Sequence, residues 1–307
     1  MKQRIKRVLA GLFVFVLVFT AAQVSVALTP FNYVLIISID GARSDIVFCR
    51  AESRNIRALS SGGAYTFWAQ SIVPSVTLPA HTSMLTGVKA SVHKITWNDY
   101  KPEKGYVQVT TVFELAKAAG LKTAMFTGKQ KLLHIAKPGT VDKFRWVNSN
   151  AGVIARAAAE YIIEEKPNLC FVHLPDPDSA GHSWGWGSAN QVKSVEDCDK
   201  AIGVLLDGLR SAGILDQAFI IISADHGGHG KGHGTTDPRD MCVPFICSGA
   251  SVKSDYEIQA PVSICDVSGA AIYALGLVIP DTWTGKPIKE VFKETIFTRA
   301  TASETAQ

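Results

Sequence analysis

The chain has 307 residues, with 31 Lys and Arg, 27 Asp and Glu and 47% hydrophobic residues. That length supports one large core. The near balance of charge excludes a surface built to track a polyanion or wrap nucleic acid, and six cysteines without a CxxC pair exclude a thiol-redox motif.

Lys2, Arg4, Lys6 and Arg7 precede an apolar run from Val8 to Ala22, and small residues follow. This is the pattern of a secretory signal peptide. Residues 1–27 are therefore expected to be a leader, cleaved after Ala22 or Ala27, and residues 28–307 a single domain. The mature protein would be secreted or extracytoplasmic. A retained leader would be its only membrane contact, since the apolar core is short for a full span. No Cys follows the run, which argues against a lipoprotein anchor. Removing the four leader cations leaves 27 basic against 27 acidic residues.

Tyr33 to Ile39 is a nearly unbroken apolar run, as in a parallel strand buried on both faces, and it ends in Asp40-Gly41. Asp45 to Leu59 reads as a helix stopped by Ser60-Ser61-Gly62-Gly63. Tyr65 to Val73 reads as a second strand. Pro74-Ser75-Val76-Thr77-Leu78-Pro79-Ala80-His81 then leads into a helix that Gly87 closes. Residues 88–110 are polar and irregular and read as loop. Thr111 and Glu114 have capping-box spacing for a helix ending at Gly120. Lys122 to Thr127 is a strand, followed by Gly128-Lys129-Gln130-Lys131.

Ala151 to Glu165 reads as a helix and Leu169 to Leu174 as a strand, followed by a Pro- and Asp-rich loop to His182. Val192, Val195, Cys198, Ile202, Leu205, Leu206 and Leu209 mark a long amphipathic helix. Phe219 to Ala224 is a strand running into Asp225-His226 and a Gly-rich loop with His229 and His233. Half of the eight histidines lie between His182 and His233. Val243 to Cys247 is a further strand. Asp266 caps a helix to Leu275, and Pro280 onward reads as a tail. Cys170 and Cys198 fall on apolar faces and read as packing; at most one disulfide is expected.

Strands alternating with helices predict an α/β fold: a three-layer α/β/α sandwich around a mostly parallel sheet. Ligands in such folds bind outside the carboxyl ends of the strands. Asp40, Thr77, Lys129, Asp178 and Asp225-His226 all follow strands closely, so one sheet edge would collect them. Asp40, Asp178, His182, Asp225, His226 and His233 number too many ligands for one tetrahedral ion and suit two. The mixed N/O set favours Zn2+, with Mn2+ or Fe as alternatives. Two ions clamp the attacking and leaving oxygens of an in-line displacement, the chemistry of phosphoryl transfer. Thr77, before a helix N-terminus, is the candidate nucleophile.

The segments Ile37-Ser38-Ile39-Asp40-Gly41, Pro74 to Gly87, Pro177-Asp178-x-x-Gly181-His182 and Ala224-Asp225-His226-Gly227-Gly228 resemble, in order, the motifs of the alkaline phosphatase superfamily. The similarity is to its type I phosphodiesterase/nucleotide pyrophosphatase branch. The resemblance implies one ion held by Asp178, His182 and His233, and another by Asp40, Asp225, His226 and the Thr77 oxygen. It implies attack by Thr77, a covalent phospho-threonine intermediate, and Asn98 as a donor to a phosphate oxygen. Lys129 and Lys131 resemble lysines of phosphonoacetate hydrolase-like members, and would bring positive charge to an anionic substrate. Ala80 departs from the branch, which commonly has Asn three residues after the Thr. No Cys/Ser-x-Pro-x-Arg motif is present, which argues against a formylglycine sulfatase.

The expected function is hydrolysis of phosphodiester or related phosphoryl bonds in small molecules. The alternatives are a phosphomonoesterase, a phosphonoacetate hydrolase-like C–P hydrolase, and a metal-binding module without catalysis. His81 and His93 are expected to be structural or to support ligands from behind rather than to be ligands themselves, and His134 and His173 ordinary core or surface residues. Trp184 and Trp186 are expected either to stack on a leaving group or to pack the Gly-rich loop.

Overall fold

Seven residues that are all apolar or small can lie in the middle of a sheet only if both faces are covered. Strand β1 (Tyr33–Ile39) does so, and from Val34 on every residue is buried. The computed structural model describes residues 30–294, so the leader expected at residues 1–27 lies outside the described residues. The remaining strands are β2 (Ala64–Gln70), β3 (Thr123–Thr127), β4 (Lys143–Trp146), β5 (Leu169–Leu174), β6 (Ala218–Ser223), β7 (Cys242–Ser248) and β8 (Tyr256–Glu257). They form one eight-stranded sheet in the order β4-β3-β5-β1-β6-β7-β2-β8. Only β7 runs against the others. The register pairs Ile39 with Leu174 and Ser38 with Ser223, so β1, β5 and β6 end level.

The helices are α1 (Arg54–Ser61), α2 (Thr77–Thr86), α3 (Ala90–His93), α4 (Val112–Ala118), α5 (Ala151–Glu165), α6 (Asp176–Trp184), α7 (Ala189–Ser211), α8 (Pro238–Met241) and α9 (Asp266–Ala274). On one side α7 packs against α5, α6, α1 and β1; on the other, α9 packs against α2, α4, β1 and β6. The α/β class and the helix-covered, mostly parallel sheet are as expected. No helix among the described residues is long and apolar enough to cross a membrane. All six cysteines are unpaired thiols.

Several elements differ from expectation for identifiable reasons. The predicted Asp45–Leu59 helix is broken: a π-turn covers Ile46–Arg50, Ala51 is extended, and α1 begins afresh. The buried Asp199 carboxylate resets it by accepting from the backbone N–H groups of Asn55 (3.1 Å) and Ile56 (2.8 Å). The 88–110 segment is not all loop, since it contains α3 and a 3-10 turn at Pro102–Lys104. Strand β4 is an addition to the expected elements; it reads Lys-Phe-Arg-Trp, with the charges that blunt an exposed sheet edge. Asp266 is the first residue of α9 rather than its cap; its carboxylate accepts from the N–H groups of Ser263 and Lys286. The segment after Pro280 is packed, with Trp283 against Gly87 and Val291 and Phe292 buried.

Candidate active site

From Asp176 to His182 the chain is helical rather than loop, and this change matters most for the site. Pro177 near the N-terminus of α6 needs no intrahelical N–H partner, and Asp178 falls in the first turn. Asp178 and His182 are then one helical turn apart on one face. His182 Nε2 lies 3.3 Å from Asp178 Oδ1, and His233 Nε2, from the Gly-rich loop after β6, lies 3.4 Å from the same oxygen. The two Nε2 atoms are 3.1 Å apart.

A second group forms where β1 and β6 end. His226 Nε2 is 3.2 Å from Asp225 Oδ2 and 3.5 Å from Asp40 Oδ1. Within each group the three facing atoms lie within 4.8 Å of one another. The rings of His226 and His233 stack at 3.7 Å, so the two groups abut.

The donor chemistry fits cations. His182 Nδ1 donates to the Lys231 carbonyl (3.0 Å), His226 Nδ1 to Gly227 (2.8 Å) and His233 Nδ1 to Ser75 (2.9 Å). A carbonyl only accepts, so each Nδ1 carries the hydrogen and each Nε2 is left facing its group. Seven buried side-chain atoms among the described residues lack a hydrogen-bond partner, and four are Asp40 Oδ1, Asp178 Oδ1, Asp225 Oδ2 and His226 Nε2. Buried polar atoms are rarely left so, and four pointing into two adjacent clusters are what a divalent cation at each would satisfy. The second oxygen of each carboxylate is already held. Asp225 Oδ1 accepts from Gly41 N (3.1 Å), Asp40 Oδ2 from His173 Nε2 (2.8 Å), and Asp178 Oδ2 from Lys129 Nζ (2.6 Å).

Burial raises the pKa of Asp40, but Lys129 and His173 outweigh it and hold the carboxyl well below the usual carboxylate range. Burial and the neighbouring Asp40 likewise raise Asp178, but the His182 hydrogen bond, Lys129 and His226 hold it at about 2. Both carboxylates are thus ionised at neutral pH. The Asp178 hydrogen bond raises the pKa of His182, whose Nε2 takes a proton where a bound cation would replace it. Burial and His226 lower the pKa of His233.

Thr77 opens α2 and is buried. Asn98 Oδ1 accepts from the N–H of Leu78 (2.9 Å), and Pro79 has no N–H. The side chain of Asn98 is thereby fixed beside Thr77, and its amide nitrogen donates to no side chain or backbone among the described residues. Lys129 Nζ lies 3.3 Å from Thr77 Oγ1. Asn98, Tyr100, Lys129, Lys131, Trp146 and Asn148 line an open cleft of about 350 Å³. Burial and the adjacent Lys129 lower the pKa of Lys131. All ten expected site positions therefore gather at one edge of the sheet.

The expectation missed His173. It is fully buried, with Nδ1 accepting from Gly128 N (3.2 Å) and Nε2–H donating to Asp40. Its place as the penultimate residue of an otherwise apolar strand was the available signal. His81 is structural: its Nδ1 donates to the Thr77 carbonyl, Ser38 Oγ donates to its Nε2, and burial lowers its pKa to about 4. Trp186 packs the Gly-rich loop, against Gly181 and Gly228, and donates to the Gly41 carbonyl (2.9 Å). Trp184 is exposed. His229 faces away to Asp240.

Comparison with known proteins gives a consistent result. A family model described as type I phosphodiesterase/nucleotide pyrophosphatase matches residues 34–230. Mouse ectonucleotide pyrophosphatase/phosphodiesterase family member 3 is 25% identical over 218 residues, covering 63% of this chain and 24% of that protein. Human family member 1 is 26% identical over 216 residues, covering 63% and 23%. The chain thus spans about a quarter of the length of these curated relatives. Murine ectonucleotide pyrophosphatase/phosphodiesterase 5, solved as an inactive threonine-to-alanine variant with AMP, superposes with a TM-score of 0.73. It is 14% identical, and the match covers 85% of this chain and all of that one. A protein solved with its substrate D-glucosamine-2-N,6-O-disulfate superposes with a TM-score of 0.68 at 13% identity, covering 89% and 82%.

Proposed function

The chain belongs to the type I phosphodiesterase/nucleotide pyrophosphatase family, within the alkaline phosphatase superfamily, and from that premise we propose that it is an exported, metal-dependent hydrolase of phosphodiester or related phosphoryl bonds in small molecules. Export rests on the leader pattern of residues 1–27. One observation carries the reaction class: two adjacent groups, each of three convergent ligand atoms, beside a buried threonine at a helix start.

Asp178, His182 and His233 would hold one divalent ion, and Asp40, Asp225 and His226 the other, together with Thr77 Oγ1. Zn2+ fits this N/O donor set, with Mn2+ or Fe as alternatives. Bound there, the ions would supply Lewis-acid stabilisation of charge on phosphoryl oxygens and lower the pKa of a coordinated hydroxyl or water. Thr77 Oγ1 loses its proton to solvent and attacks phosphorus, its O–P bond forming as the bond to the leaving oxygen breaks and that oxygen takes up a proton; water then attacks the phospho-threonine, breaking its O–P bond and restoring the Thr77 hydroxyl. The dipole of α2 favours the negative charge that gathers at Thr77. Asn98, held through Oδ1, donates from its amide nitrogen to a phosphate oxygen. The Lys131 side chain makes no hydrogen bond or ion pair among the described residues, and serves an anionic part of the substrate. The inactive threonine-to-alanine relative holding AMP agrees with a threonine nucleophile and a small phosphoester ligand.

The extra cation at Lys131 also favours a second reading, a phosphomonoesterase, because a monoester carries more negative charge than a diester. Metal analysis of the mature protein, with turnover of bis-p-nitrophenyl phosphate against p-nitrophenyl phosphate, separates these. The expected result is about two ions per chain, diester preference, and loss of turnover in Thr77→Ala. A strong monoester preference would transfer the assignment to the second reading. Full activity in Thr77→Ala would remove the threonine mechanism altogether.

A further inference from the structure

A lysine ammonium has three N–H donors and no acceptor. The Lys129 ammonium hydrogen-bonds Asp178 Oδ2 at 2.6 Å and Thr77 Oγ1 at 3.3 Å, and forms an ion pair with Asp40 Oδ2 at 2.6 Å. Its charge and its hydrogen bonds are thus directed at protein oxygens. The base of the side chain is fixed as well. Lys129 N donates to Thr127 Oγ1 at the end of β3 (3.1 Å), and that hydroxyl donates to Lys129 O (3.0 Å). The preceding Gly128 is locked in turn, with Pro175 where a Cβ would stand and its N–H on His173.

The two carboxylates divide their oxygens. Asp40 and Asp178 each turn Oδ2 to Lys129, and each leaves Oδ1 with the imidazoles of its own group. The lysine therefore takes neither carboxylate oxygen that faces an ion site, and of the expected ligand atoms it touches Thr77 Oγ1 alone. It is also the only Lys or Arg paired with Asp40 or Asp178 among the described residues. Resting on the two-ion reading above, we propose that Lys129 is a positioning residue. Its ammonium ties the carboxylates of both ion sites to the Thr77 hydroxyl and compensates them when no ion is present, leaving substrate charge to Lys131.

The test uses the full mature protein, loaded with Zn2+ and then stripped by chelator, as wild type, Lys129→Met and Lys129→Arg. Breaking a buried ion pair on one side is strongly destabilising, and should read as a melting temperature about 10 °C lower for stripped Lys129→Met than for stripped wild type. In the loaded form the deficit should shrink to about 3 °C, because the ions compensate the same carboxylates. Turnover should lose about 100-fold in kcat with KM changed less than about threefold. Lys129→Arg, which keeps the charge, should melt within about 3 °C of wild type when stripped.

Equal deficits in the stripped and loaded forms, no deficit in either, or a large rise in KM at constant kcat would overturn the proposal. If Lys129→Met fails to fold, the arginine variant decides: a stripped form melting about 10 °C below wild type overturns it. Wild-type protein holding less than about one ion refutes the two-ion reading separately, and the stripped comparison still judges the lysine.

Discussion

Gly41 follows Asp40 with φ +72°, in the left-handed region. A Cβ placed on it would stand 2.9 Å from Asp178 Cα and 3.1 Å from Asp178 N. Both are backbone atoms of α6 and cannot swing aside like a flexible side chain. Gly41 also donates to Asp225 and accepts from Trp186, so it joins the loops of both ion sites. Gly41→Ala combines a left-handed strain of about 1–2 kcal/mol with an overpacking cost of about 1–3 kcal/mol. The expected destabilisation is about 2–5 kcal/mol in urea unfolding of metal-saturated protein. A displaced Asp178 should also lower kcat/KM about 10–100-fold and weaken retention of the ion at His182 and His233. Gly120→Ala is the control. Gly120 has φ +74°, and a Cβ there would meet nothing within 4 Å, so it reports the backbone strain alone. If Gly41→Ala costs no more than Gly120→Ala and leaves kcat/KM intact, the close approach does not hold Asp178 in place.

Three further outcomes follow from single contacts. His173→Phe leaves the Gly128 N–H without its acceptor and Asp40 Oδ2 with Lys129 alone, and should cost about 3 kcal/mol and about 10–100-fold in metal affinity, read by denaturation and metal titration; wild-type affinity in the variant would contradict the role of His173. Asp199→Ala should lower stability by about 2–3 kcal/mol through the start of α1 while kcat stays at the wild-type value, and a change under about 0.5 kcal/mol would rule out the carboxylate as what restarts the helix. Burial lowers the pKa of His93 to about 4 from 6.5, so its contribution is fully present above pH 6.5 and is lost as pH falls toward 4, where the unfolded chain binds the extra proton. The loss should be about 2–3 kcal/mol, and His93→Gln should flatten it in urea unfolding from pH 7 to 4; an unchanged slope would remove His93 as the cause.

Local pattern made much of this molecule legible. The apolar runs of β1, β5 and β6 admit only a doubly covered sheet, and each ends in the Asp or the short loop that carries the site. The capping box at Thr111 and Glu114 and the long stripe of α7 were readable because a helix repeats its buried face every three to four residues. Asp40, Thr77, Lys129, Asp178, Asp225 and His226 could be placed from the chain because they follow strands closely, where parallel order brings loops to one edge, whereas Asn98 was named from the family resemblance.

Where an element depends on a partner distant in sequence, the chain alone was silent or misleading. The restart at α1 comes from Asp199, 143 positions from Ile56. Pro177 has the look of a loop signal, and only its place in the first turn of α6 makes it helical. His173 has the look of one more strand residue, because nothing local says that its two nitrogens span Gly128 and Asp40. The sequence by itself determined the α/β class, the sheet edge that carries the chemistry and the identity of the candidate ligands, since these follow from periodicity and from residues at strand ends. Only the tertiary structure decided which oxygen of each carboxylate faces an ion site, and that the Lys129 ammonium is directed at Asp40, Asp178 and Thr77 while the Lys131 side chain has no such partner among the described residues. Those assignments depend on ångström-scale distances between segments far apart in the chain, which no local pattern encodes.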